Sequence, residues 1–154
     1  MSIEARLTEL GITLPVAAAP VAAYVSTVEA GGMLHISGQI SLGPDGLMTG
    51  CLGKDRELDY GVAAARICGL NLIAQMKAAL GSLDRVERIV KLGAFISSAP
   101  SFTDQPKVAN GASELMVEVF GEAGKHARSA VGVPVLPLGA VVEIDAIVLV
   151  RPAA

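Results

Sequence analysis

Tryptophan is absent, and aromatic residues of every kind make up 3% of the 154 residues. Proteins that hold single-stranded nucleic acid use such rings as stacking platforms along a basic groove. The basic groove has little to draw on either: 12 Lys and Arg stand against 15 Asp and Glu, a net charge of −3. Both shortages argue against nucleic acid as a partner. Cysteine is scarce as well. Cys51 and Cys68 form no C-x-x-C pair, so two reduced thiols in an intracellular protein are expected. His35 and His126 stand far apart with no metal-ligand spacing, and zinc is not expected. Long apolar runs are also missing. Leu14 to Val25 is interrupted by Pro15 and Pro20 and preceded by Glu4 and Glu9, which argues against a signal peptide. No apolar run approaches the roughly 18 residues of a membrane helix. A cytoplasmic protein with no membrane partner is the expectation.

What is present is a globular composition, 52% hydrophobic and 18% charged, on a chain long enough to bury roughly 68–70% of its unfolded surface. No linker or repeat divides it. The expectation is one domain over residues 1–154, with 1–20 as an N-terminal extension: a short amphipathic start and a Pro/Ala-rich connector. Tyr24 to Val28 and Met33 to Ser37 are β-prone runs around Gly31-Gly32, which predicts a hairpin. Gly43-Pro44-Asp45-Gly46 is a turn signal, and the stretch to Lys54 is loop-like. Leu58 to Leu80 has the residues and spacing of a helix, with Gly81 as its stop. Gly69 inside it marks a close packing contact. Val86 to Ser97 is a mostly buried strand. Asp104 as N-cap and Pro106 in the first turn open a second helix that runs to about Phe120. Ala127 to Val135 and Val141 to Val150 are further strands, and Pro137-Leu138-Gly139 turns the chain between them.

The order β-β-α-β-α-β-β places the chain in the α/β class. Strands alternating with helices predict parallel βαβ units. Two helices cover only one face of such a sheet, so the other is expected to be covered by further subunits of a homo-oligomer. Alternation puts Arg128, Ala130 and Gly132 on one face of their strand, and Glu143 and Asp145 opposite the apolar face of the last one. Arg128 and Glu143 are expected on the sheet face away from the helices. The plain reading of both is a solvated or ion-paired side chain. The functional reading makes Arg128 a clamp that grips a small carboxylate through two parallel hydrogen bonds. Periodicity alone favours the plain reading, since structural ion pairs are common. Tyr24, Gly38 and Asn110 carry no signal of their own. No phosphate-binding loop and no Ser-His-Asp arrangement can be built.

A set of blocks nevertheless forms a pattern. Ser37-Gly38-Gln39-Ile40, Ala127-Arg128-Ser129-Ala130-Val131, Leu136-Pro137 and Val142-Glu143-Ile144-Asp145-Ala146-Ile147 together resemble the RidA family, also called YjgF or endoribonuclease L-PSP-like. The likeness spans Tyr24 to Val150. Leu10-Gly11-Ile12, Ser98 to Ser113 and Val119 to Gly124 resemble one branch of it, with a longer N-terminal segment than the deaminase members. The resemblance implies a chorismate-mutase-like β-α-β-α-β-β core with a mixed sheet and two helices on one face. The last strand would insert between earlier ones, so that 127–150 would not be a hairpin. It also implies a homotrimer with ligand clefts between subunits, and hydrolysis of 2-imino acids or their enamines to 2-oxo acids and ammonia. No cofactor or metal is implied. The family's carboxylate-binding arginine falls on Arg128, its water-holding acid on Glu143, its backbone-donating glycine on Gly38, its site tyrosine on Tyr24 and its site asparagine on Asn110. Many members carry cysteine where this chain has Ala130. The alternative function is non-catalytic binding of a small carboxylate in the same cleft, with RNA cleavage or translation inhibition a weaker third.

Overall fold

A computed structural model of the chain describes residues 1–153. In chain order the elements are helix α1 (Ile3–Glu9), strands β1 (Thr27–Ala30) and β2 (Met33–Ile40), and a small hairpin of β3 (Leu42–Gly43) and β4 (Gly46–Leu47). Helix α2 (Leu58–Leu80), strand β5 (Val86–Ser97), helix α3 (Gln105–Phe120) and strands β6 (Ala127–Val133) and β7 (Val142–Val150) follow. The α/β order read from the residues is present. Strand boundaries move by up to three residues: the first strand runs from Thr27 to Ala30 and not from Tyr24 to Val28, β2 continues to Ile40, β6 stops at Val133 and β7 begins at Val142.

The main sheet runs β1-β2-β7-β5-β6. Strand β7 pairs antiparallel with both β2 and β5, and only β5 and β6 are parallel. A sheet of parallel βαβ units is therefore corrected to a mixed sheet, and 127–150 is not a hairpin. Helix α2 carries the chain from β2 to β5 with a gap of one strand, and β7 fills the gap as in a split βαβ unit. Its composition suits the centre: Val142, Ile144, Ala146, Val148 and Val150 are all buried.

Helices α2 and α3 lie together on one face, and their buried residues form one apolar cluster with Leu34, Leu92, Ile96, Ile144 and Val148 of the sheet. Glycine lets the helices approach. A Cβ on Gly69 would lie 2.9 Å from Leu115 Cδ2, and one on Gly111 would run into the Val62 carbonyl. Helix α2 ends at Gly81, where φ is +78° and the N–H reaches Lys77 O. Asp104 stands at the N-cap of α3 without a side-chain cap bond. Its carboxylate pairs with Lys107 instead, at 3.5 Å.

The N-terminal segment is tied down. Leu7 is buried in the core, Glu4 accepts from Leu83 N–H and pairs with Lys77, and Ala18 O accepts from the buried Gln75. The opposite sheet face carries no helix. There His35, Ser37, Lys91, Gly93, Asp145 and Ile147 line a concavity of about 540 Å³. No helix is long and apolar enough to cross a membrane among the described residues.

Candidate active site

Arg128 sits on β6, an edge strand bonded only to β5. Its backbone partner is Leu92, a core residue, so its side chain rises on the helix-covered face. The guanidinium meets the start of α3: Nη1 donates to Asn110 Oδ1 at 2.8 Å and Ser113 Oγ at 3.1 Å, and Nη2 donates to Pro106 O at 3.2 Å. Of the five N–H donors of an arginine, these three bonds leave two. No carboxylate lies within ion-pair distance of Arg128 among the described residues. A planar cation held by three neutral acceptors, with donors to spare and its charge uncompensated, is suited to a carboxylate. Ala130, two residues on, is partly buried against the core.

Ser113 and His126 complete this cluster. Ser113 Oγ lies 2.8 Å from His126 Nε2, and His126 Nδ1 lies 2.6 Å from Gly124 O. Burial holds the His126 pKa below its ordinary value; the nearby Arg128 charge acts the same way, and the bond to Gly124 opposes both. Neither residue stood out in the sequence, because a lone serine on a helix and a lone histidine before a strand have no spacing to betray them.

Glu143 belongs to a different place. Its neighbours Val142 and Ile144 are buried toward the helices, so Glu143 projects from the open face with Asp145, which lines the concavity there. Gly38 lies directly against it. A Cβ on Gly38 would stand 2.7 Å from Glu143 Oε2, and the strand register shifts between Ile36 and Gln39 at the same point. Among the described residues Glu143 has no ion-pair partner. Burial pushes its carboxyl pKa up, and the Asp145 charge adds to the rise. Asp145 is also raised by burial, with bonding to Gly93 and the charge of Lys91 working the other way. Tyr24 is half exposed in the stretch before β1. Ser37 N–H donates to Ser26 O and its hydroxyl to Val25 O, which draws that stretch alongside Gly38.

The six residues singled out in the sequence thus fall into two groups. Arg128, Asn110 and Ala130 gather at the β6 edge; Glu143 and Gly38 gather on the open face, with Tyr24 in the adjoining chain. The expectation that Arg128 shares the face of Glu143 is overturned. Residue Glu143 aligns through Phe95 with Val131, so Arg128 is two strands across and three residues along, roughly 10 Å each way, and on the other face. A small substrate cannot touch both within one chain. Among the described residues no group of three or more His, Cys, Asp or Glu is placed to hold a metal ion.

The family model described as YjgF/chorismate mutase-like matches residues 4–148. Protein TCP17 of Trypanosoma cruzi is 56% identical over 95% of this chain and 92% of its own length. A 2-iminobutanoate/2-iminopropanoate deaminase of Dermatophagoides farinae is 29% identical over 91% of this chain and 95% of its own. The crystal structure of Atu1372 from Agrobacterium tumefaciens, a protein of unknown function, superposes with a TM-score of 0.89 at 46% identity, covering 97% of this chain and 92% of that one. With the mixed sheet, the two-helix layer and these matches together, the chain belongs to the YjgF/RidA family.

Proposed function

We propose that this protein hydrolyses reactive 2-imino acids, or their enamine tautomers, to 2-oxo acids and ammonia, in clefts completed between the subunits of a homotrimer. The observation that carries the reading is the split between Arg128 and Glu143. Among the described residues, one group is a cation with free donors and no counter-ion, the other a half-buried carboxylate with no ion-pair partner, and they lie on opposite faces. Only a second copy can set one against the other. An edge strand and an uncovered sheet face are the surfaces such a copy would use.

Arg128 would hold the substrate carboxylate through its two remaining donors. Glu143 would take a proton from water as the oxygen bonds to the carbon of the protonated imine, whose C=N electron pair moves to nitrogen and gives a neutral carbinolamine. Glu143 would then return its proton to the amine, the C–N bond would break and ammonia would leave. The hydroxyl would lose its proton to the Glu143 carboxylate just freed, becoming the ketone, and ammonia would carry that proton away as ammonium. A carboxyl raised by burial is closer to the operating pH and better matched to both transfers. Such a group contributes about 10²–10⁴-fold, which suffices for a bond as reactive as an imine. The named activity of the mite relative supports the reading.

The test generates imine with an amino-acid oxidase and follows 2-oxo acid release. Wild type is expected to accelerate release, Arg128→Ala to lose the acceleration, and the exposed-surface control Lys54→Ala to keep it. Equal rates for wild type and Arg128→Ala would refute the reading. Sedimentation is expected to show three times the 15.7 kDa chain mass. A second reading, carboxylate binding without turnover, is favoured by Ala130 in place of the family's frequent thiol. Thermal stabilisation by pyruvate with no acceleration would identify it.

A further inference from the structure

The Arg128 cluster contains a directional chain of hydrogen bonds. Gly124 O can only accept, so His126 Nδ1 must carry the proton of their 2.6 Å bond. In the neutral ring Nε2 is then an acceptor. The Ser113 hydroxyl, 2.8 Å away, donates to it, and this turns a Ser113 lone pair toward Arg128 Nη1 at 3.1 Å. Every donor and acceptor runs one way, from Arg128 through Ser113 and His126 to Gly124.

Protonation of the ring reverses one member. Nε2 would become a donor aimed at the oxygen that Arg128 already uses, so the hydroxyl proton must turn away and two cations share one oxygen. The ring is half-buried, and both burial and the Arg128 charge hold its pKa below the ordinary value, which keeps the chain intact at neutral pH. The other charged groups nearby are Lys125, next in sequence and paired with Glu122, Arg88 of β5, which donates to Lys125 O, and Glu114, beside Ser113 in α3. Both ring nitrogens are taken by Ser113 and Gly124, so none of these bonds to the ring.

We propose that His126 is a positioning residue for the Arg128 clamp, acting through Ser113, and that only its neutral ring holds the clamp set for a carboxylate. The inference rests on the proposed function for its ligand, but the coupling between the two side chains does not need one. It also makes a prediction of sign. Simple attraction would make a protonated His126 tighten anion binding; the chain of bonds makes it weaken binding. By linkage, a bound carboxylate must then push the His126 midpoint down, not up.

The experiment measures pyruvate affinity by calorimetry from pH 7.5 to 5 in wild type, His126→Gln and Ser113→Ala. Glutamine can accept from Ser113 through its amide oxygen and does not titrate. Wild-type affinity is expected to fall about two- to tenfold, the weight of one hydrogen bond, and to fall more steeply than in His126→Gln, each variant being compared with its own affinity at pH 7.5. Ser113→Ala is expected to bind weakly at every pH without the His126 step. Identical pH slopes in wild type and His126→Gln, or a His126 midpoint raised by pyruvate, would overturn the inference. In parallel, the Arg128 Nε–H resonance is followed by NMR without ligand. It is expected to shift at the His126 midpoint in wild type and to stay fixed in His126→Gln. If pyruvate binds no form but that shift is present, the function reading fails and the coupling stands; if the shift is absent, the coupling is refuted.

Discussion

Replacing Gly38 with alanine sets one methyl group against the side chain of Glu143. The new Cβ would stand 2.7 Å from Oε2, 3.0 Å from Cδ and 3.1 Å from Cγ. Carbon contacts are comfortable from about 3.5 Å, so the carboxyl must retreat by roughly 0.8 Å or swing to another rotamer. Gly38 is not among the positive-φ glycines, and its backbone accepts alanine without strain. The neighbour that yields is the far end of a flexible, half-exposed side chain, so the stability change is expected to stay within about 0.5 kcal/mol. A displacement near 1 Å in a catalytic group costs about 10²-fold in rate. Gly38→Ala should therefore lose about two orders of magnitude in imine hydrolysis while melting within a degree or two of wild type. The coupled oxidase assay reads the rate, and circular dichroism reads the melt. Gly38→Ala combined with Glu143→Gln should lose little beyond Glu143→Gln alone, because both changes remove the same group. Full activity in Gly38→Ala alongside an inactive Glu143→Gln would refute the reasoning.

Arg128→Lys should bind pyruvate about 10–100-fold more weakly by calorimetry, since an ammonium cannot keep the bonds to Asn110, Ser113 and Pro106 and also fork a carboxylate. Glu143→Gln should raise Tm above that of wild type at pH 8, and the advantage should shrink toward pH 4. A carboxyl whose folded pKa is raised favours the folded chain when protonated and opposes it as pH climbs through the raised value. Gly111→Ala should destabilise by about 1–3 kcal/mol in thermal melts, because its Cβ enters the Val62 carbonyl and two packed helices must part.

Helix α2 and the buried strands were readable because burial imposes its period on the residues. Leu58, Leu80 and Gly81 mark in sequence the bounds seen in the fold. The face of Arg128 was not readable, and the reason lies at the sheet edge. Alternation separates two sets on β6 but does not say which meets the helices. The more apolar set, with Val131, points to the open concavity, while Arg128 and the small Ala130 lie under α3. An apolar residue on a face awaiting another subunit looks like core in a single sequence. Ser113 and His126 were missed for a related reason: their partnership exists only once β6 docks beside α3. The position of β7 is likewise invisible to local pattern. Nothing in Val142–Val150 distinguishes a central strand paired on both sides from the second arm of a hairpin, and only the family resemblance anticipated the insertion.

Central placement of β7 has a consequence for how the chain comes into being. During synthesis β2 and β5 emerge long before the strand that belongs between them, and until residues 142–150 arrive each presents an unsatisfied inner edge. Those edges carry buried apolar residues such as Leu34, Ile36, Ile89 and Ile96, the profile of a strand that pairs wrongly with its neighbours. A nascent chain halted before Val142 would have its three helices, an open slot and no way to close it. Closure of the sheet is thus a late, long-range event that waits on the final strand, and a peptide supplying residues 142–150 to such a truncated chain would be the natural agent to complete it.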